Sequence, residues 1–154
     1  MDKTIFGTST YSNKLEAFLG DYPNERSHMG TELPVFVYRL FQYSLKEELI
    51  SRYGKETAVD LFRAGGRTAG VYFARHHLEL ALPMGQFTAM LQQKLEEFKI
   101  GILRIETFDE NTGQIILTVS EDADCSGLPI MGEAVCNFDE GFISGILSLY
   151  TNKN

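Results

Sequence analysis

The sequence has no tryptophan, four prolines and two cysteines among 154 residues, and it has no excess of positive charge. Each shortage excludes something. Fourteen basic residues stand against twenty-one acidic ones, a net charge of −7. The chain as a whole therefore repels phosphate backbones and anionic lipid, and neither nucleic acid nor a membrane is expected as a partner. No apolar run approaches the ~18 residues that a membrane-spanning helix requires. The N-terminus, MDKTIFGTSTYSNKLEAF, lacks the basic stretch followed by a continuous apolar segment that marks a secretory signal, so a cytoplasmic location is expected. There is no phosphate-binding loop, no G-x-S-x-G turn and no H-E-x-x-H helix, and no catalytic constellation emerges.

The two cysteines, Cys125 and Cys136, do not stand in a C-x-x-C pair. In a chain without an export signal they are expected as thiols or metal ligands in preference to a structural bridge. Glu121, Asp122, Asp124 and Glu133 lie close enough in sequence to complete a mixed sulfur and oxygen metal site. Carboxylates at that density are more often a solvated loop.

Apolar residues make up 44% and charged residues 23% of the chain, a globular balance, and the length suits one core. Residues 1–12 read as a polar arm. Ser12 is placed to cap a short helix carrying Leu15, Phe18 and Leu19, and DYPNERSHMGTELP reads as a loop. From Val35 to Tyr53 the apolar positions Val35, Tyr38, Phe41, Leu45 and Leu49 recur at helical steps, and Gly54 ends the run. A second helix follows from about Glu56 to His77, with Val59, Phe62, Gly66, Ala69, Phe73 and His77 on one stripe. Its three glycines, Gly65, Gly66 and Gly70, would each cost roughly 1 kcal/mol relative to alanine in a free helix. Close approach of another backbone is the first explanation, and a ligand the second.

A third helix is expected over Gln86–Phe98. The character then turns β-branched. Ile100–Phe108 and Gln114–Ser120 read as two antiparallel strands joined through DENTG, with Leu103 and Ile105 on one face of the first and Ile115, Leu117 and Val119 on one face of the second. A last helix, capped by Asn137 or Asp139, carries Phe142, Ile143, Ile146, Leu147 and Tyr150. This order predicts an α+β fold with helices packed on one side of a small antiparallel sheet. A two-stranded sheet is marginal alone, which points to a covering layer or a second chain. Eleven Phe and seven Tyr, concentrated in the two long helices, either fill a core or dimer seam or leave a cavity for an apolar ligand.

Three segments carry a resemblance to a known family: GGRTAGVYFAR from Gly65 to Arg75, ILRIETFDENTGQIILTVSEDADCSGLP, and GEAVCNFDEGFISGILSLYT. Their most specific features are Cys136 followed by Phe138, Gly141 and Gly145, and a strand ending at Ser120-Glu121. Over about residues 34–151 the chain resembles the 4-vinyl reductase domain, also called the hydrocarbon-binding domain, with residues 1–33 as an N-terminal arm and short helix. The resemblance implies a ligand-binding fold shared with vesicle-tethering TRAPP subunits and with the sensor halves of phenol- and xylene-responsive regulators. It implies a homodimer that binds or senses a small apolar or aromatic molecule, without catalysis of its own.

The expected ligand-binding residues are Phe41, Leu45, Phe62, Gly66 and Phe73, with Arg67 as a polar anchor for a ligand that carries a carboxylate. The alternatives are an accessory or reductase-associated factor of tetrapyrrole metabolism, with Cys136 or His77 against the ring, and an assembly module without a ligand. Family members continue past the last helix with a strand and a motif of the form E…C…G…C-x-F that supplies zinc ligands in some of them. This chain stops at Asn154, so Cys125 and Cys136 are expected to form at most an incomplete zinc site.

Overall fold

The computed structural model describes residues 12–109 and 112–152. Two compact units are distinguished, residues 1–34 and 35–154. In the first, α1 runs Ser12–Leu19, and the segment expected as a loop contains one helical turn, α2, at Tyr22–Glu25. Pro23 supplies the preset φ of a first turn, and the Asn24 side-chain amide donates to the Asp21 carboxylate at 2.8 Å. The polar arm before Ser12, the Ser12 side chain, part of the DENTG connection and the last two residues lie outside the described residues.

In the second unit α3 spans Val35–Tyr53, α4 Lys55–His77 and α5 Met84–Glu97. The strands β1 (Ile102–Asp109) and β2 (Gln114–Ser120) follow, and then α6 (Asn137–Thr151). The class is α+β, with one antiparallel two-stranded sheet among the described residues. Asn137 is the first residue of α6; Cys136 holds the cap position without a side-chain cap bond, so neither expected capping residue serves as one.

The glycines of α4 are answered by glycines of α6. Gly66 faces the backbone of Phe138 and Phe142, and Gly70 faces the backbone of Phe142. In return Gly141 faces the Arg63 carbonyl and Gly145 the Arg67 carbonyl. The contacts advance together along both helices, so the two run in the same direction and interlock at four-residue steps. A Cβ at any of these four positions would lie within 3.0 Å of opposing backbone atoms. Backbone approach therefore explains the glycines, and no space for a ligand remains at Gly66.

Beside this seam lies the core. Phe73, Ala74 and Leu78 of α4 and its C-cap meet Phe87, Leu91 and Leu95 of α5, Leu103 of β1 and Phe142 and Ile146 of α6. Phe87 stacks on Tyr150 at 3.8 Å, and the Tyr150 hydroxyl donates to the Leu82 carbonyl at 2.8 Å. Burial of these side chains, roughly 1.5–3 kcal/mol for each large one, holds the helix layer together.

The hairpin departs from strict alternation. Its register shifts between Ile105 and Thr107, so that Thr107 pairs with Ile116 and Phe108 with Ile115. This bulge brings Phe108 onto the face of Leu103 and Ile105, opposite Ile115, Leu117 and Val119. The helix layer covers only one end of that face: Leu103 is 2% exposed, whereas Ile105 and Phe108 keep 37% and 42%.

Candidate functional site

The uncovered half of the hairpin's inner face forms one wall of a groove. A cavity of about 450 Å³ lies between it and α5, bounded by Ile105, Phe108, Ile115 and Leu117 on the strand side and by Met84, Thr88, Ala89 and Gln92 on the helix side. A second cavity of about 620 Å³ adjoins it, sharing Met84, Phe108, Ile115 and Leu147, and reaches Arg67, Glu140, Ser144 and Ser148. The bulge turns Phe108 onto the inner face and α6 packs along α4, so no side chain fills the space. Cavities of this size, apolar with few polar groups, are the usual form of small-molecule sites.

The residues expected around a ligand are distributed over four places. Phe41, Leu45 and Phe62 do meet, in a smaller recess of about 230 Å³ between α3, α4 and Phe138, remote in sequence from the groove wall. Phe73 is core, edge-on to Phe98 and Phe142 at 5.3 Å. Gly66 is closed by α6. Of the six, Arg67 alone lines the groove. Sequence periodicity pointed to the aromatic helices, whereas the groove belongs to the hairpin, whose bulge no alternation rule anticipates.

α3 also differs from its expected role. Its buried residue is the polar Gln42, 5% exposed, while Phe36 and Phe41 keep 70% and Leu40 57%. The polar side of α3 is what docks, onto the segment between β2 and α6. Arg39 donates to the carbonyls of Ala123 at 2.7 Å, Ser126 at 2.8 Å and Asp122 at 3.3 Å. The Tyr43 hydroxyl donates to the Asp124 carbonyl at 2.9 Å, and Lys46 to Asn137 Oδ1 at 2.8 Å. Lys55 pairs with Glu133.

Of the four carboxylates expected as a solvated loop, Glu121 and Glu133 are exposed, whereas Asp122 and Asp124 are not. Asp122 and Asp124 are 6% and 1% exposed, and Asn137 2%. Asp122 Oδ1 accepts the Asp124 backbone N–H at 2.7 Å, while both carboxyl oxygens of Asp124, Asp139 Oδ2 and Gln42 Oε1 are buried without a hydrogen-bond donor. Acceptors in such excess require a proton or a cation. Burial, and then the charge of Asp124, push the Asp139 carboxyl up to about 9. Burial raises the Asp124 carboxyl as well. The neutral Asp139 carboxyl then donates to its neighbours. The same surroundings push the Tyr43 hydroxyl up to about 12, chiefly by burial and next by Asp124.

Cys125 and Cys136 are joined in a disulfide, Cα to Cα 6.1 Å, which corrects the expectation of free thiols or ligands. That expectation rested on compartment; the pairing is set by the clamp of α3 on the loop, which holds its two ends side by side. Asp122 Oδ2 lies 3.1 Å from the Cys125 sulfur. With the bridge closed, the sulfurs are bonded to each other and hold no metal. After two-electron reduction, Asp122, Cys125 and Cys136 would present three ligand atoms within 4.8 Å of one another, a donor set suited to zinc. The bridge closes a loop of 11 residues' separation, and chain-entropy arguments assign it about 2–3 kcal/mol. Urea unfolding with and without dithiothreitol should differ by that amount, with no reactive thiol in the native, unreduced protein; coincident curves would contradict the assignment.

His77, proposed against a tetrapyrrole, sits at the end of α4 between Phe73 and Phe98, at 5.0 and 4.7 Å, and burial lowers its pKa. Gly66 packs on Phe138, two residues beyond Cys136, so His77 lies eleven residues along α4, roughly 16 Å, from the level of Cys136. The two do not share a site.

The chain is thus an α+β protein with an apolar groove and a buried pair of aspartates in the loop before α6. It is similar to two proteins of Methanocaldococcus jannaschii. The uncharacterized protein MJ0150 is 24% identical over 153 residues, 96% of this chain and 77% of the relative. The uncharacterized protein MJ1642 is 38% identical over 58 residues, 38% of this chain and 34% of the relative, so that match spans about a third of its length. No family model and no solved structure matches the chain. Among the described residues no helix is long and apolar enough to cross a membrane.

Proposed function

We propose that the chain is a binding or sensing module for a small apolar or aromatic molecule, held in the groove between the hairpin and helices α5 and α6, with no catalysis of its own. The observation that carries this reading is the half-covered inner face of the hairpin. Ile105 and Phe108 point toward the helix layer yet keep more than a third of their surface open, an arrangement that an apolar guest would complete. The resemblance to the hydrocarbon-binding domain, and through it to TRAPP subunits and phenol sensors, supports the same reading. The outward apolar side of α3, with Phe36, Leu40 and Phe41, supports a homodimer closed over that helix and over the small recess beside it; a single-chain mass in sedimentation would remove the dimer from the reading.

A second role, in metal binding, draws support from the acidic loop. The order acid, Cys, Gly, Cys-x-Phe expected beyond the last helix stands ahead of it, as Asp122, Cys125, Gly127, Cys136 and Phe138. Zinc would be held there by the reduced loop.

The neutral fluorescent probe N-phenyl-1-naphthylamine tests the groove. Wild type should bind it saturably, and Ala89→Trp, which places a ring into the groove from an exposed position on α5, should weaken binding about tenfold or more. Cys136→Ser should change it by no more than a few fold. Binding unchanged by Ala89→Trp, or absent from wild type, would overturn the groove as the site.

A further inference from the structure

We infer that the groove's occupant is an amphiphilic monoanion, an apolar chain ending in a carboxylate, whose head is held by Arg67 and Ser144. The inference rests on the groove reading above and adds the ligand's chemical class.

The two adjoining cavities differ in character. The part between the hairpin and α5 is walled by Ile105, Phe108, Ile115 and Leu117, whereas the part along α6 opens onto Arg67, Ser144 and Ser148. An apolar channel with one polar end matches a molecule with the same asymmetry. At that end the charges are unequal. Arg63, one turn before Arg67 on α4, is bound to Glu140 at 2.8 Å and lies 3.8 Å from Asp60. Arg67 has no ion pair among the described residues; its guanidinium makes one long bond, 3.3 Å, to the Ser144 hydroxyl. Glu140 also borders this cavity, but its carboxylate is already engaged by Arg63. The one uncompensated charge facing the channel, among the described residues, is therefore positive.

The position of Arg67 is fixed. Its backbone carbonyl is the surface against which Gly145 packs, so the side chain leaves α4 beside the α6 turn that carries Ser144. Ser144 accepts from Arg67 and keeps its own proton to donate. Ser148 does not, because its hydroxyl donates to the Gly145 carbonyl at 3.0 Å. One planar guanidinium fork and one hydroxyl suit a carboxylate, which takes two parallel N–H bonds; a phosphate dianion would call for a second free cation that the site lacks among the described residues. The net charge of −7 gives no long-range attraction for anions, so recognition has to come from this contact.

The test compares dodecanoate with dodecan-1-ol, which has the same chain and no charge, by displacement of N-phenyl-1-naphthylamine from the full chain. Wild type should bind dodecanoate at least about tenfold more tightly than the alcohol. Arg67→Gln should weaken dodecanoate by about tenfold and leave the alcohol within twofold, which also shows that the variant is folded; Arg67→Lys, with the charge but not the fork, should fall between. Equal affinities in wild type, or equal loss of both ligands in Arg67→Gln, would overturn the carboxylate head while leaving an apolar groove in place. Binding of neither would overturn both readings.

Discussion

Gly70→Ala should unfold the protein or cost it about 3 kcal/mol or more, although alanine is the better helix former by about 1 kcal/mol. The added methyl would meet the Phe142 carbonyl and α-carbon of α6, all within 3.1 Å. Backbone cannot rotate aside as a side chain does, so α4 and α6 must separate, and the core they bracket, with Phe73, Ala74, Phe142 and Ile146, opens with them. Gly65, on the same helix, provides the control. A Cβ there meets only the Phe138 ring, at an ordinary 3.9 Å, and Gly65→Ala should be neutral or stabilising by roughly 0.5–1 kcal/mol. Urea midpoints of the two variants measure the contrast. Equal and small effects would mean that the helices do not approach as closely as described.

The second large effect is one of pH. In the unfolded chain the Asp139 carboxyl ionises near 3.8, while in the folded chain burial and the charge of Asp124 hold it protonated up to about 9. Folding therefore takes up a proton between these values. The stability this group contributes is complete below the unfolded value and is lost as pH rises through the folded one. An asparagine in its place also offers an N–H to Asp124 and never ionises, so it carries no such linkage. Relative to wild type, Asp139→Asn should gain stability progressively from pH 5 to pH 9, by at most about 1.4 kcal/mol per pH unit and less because the group is partly open to solvent. Thermal unfolding of both proteins across that range gives the answer. A difference that stays flat, or shrinks as pH rises, would contradict a protonated Asp139.

Helix periods, hairpin chemistry and glycine placement carried most of the fold in readable form. The bounds of α3 coincide with the periodic run Val35–Tyr53, and two of the three glycines of α4, Gly66 and Gly70, mark the expected backbone contact, with Gly141 and Gly145 as the answering pair. These are local signals: a period, a cap, a residue without a side chain. What stayed hidden depends on tertiary distance. Asp122 and Asp124 look like loop carboxylates until Arg39 and Tyr43 of α3, more than eighty positions earlier, fasten that segment by its carbonyls. The pairing of Cys125 with Cys136 follows from the same clamp. Phe41 reads as a core residue by spacing, yet α3 docks through its polar side and leaves that ring outside. The groove was the least legible feature, because a vacancy has no residue pattern. It arises where a bulge turns Phe108 inward and the helix layer ends short of it. Arg67, expected as a polar anchor for a carboxylate, lines the polar end of the groove, a place set by the packing of α4 on α6.

The groove is proposed as a binding site, and every expectation of ligand binding depends on it. Methyl-resolved NMR of isoleucine- and leucine-labelled protein, titrated with N-phenyl-1-naphthylamine, addresses it residue by residue. The methyls of Ile105, Ile115, Leu117 and Leu147 should shift saturably and show contacts to the probe's rings, while Leu95 and Ile146 in the filled core and Leu45 and Leu49 beside α3 stay in place. Shifts confined to Leu45 and Leu49, or none at saturating probe, would contradict it.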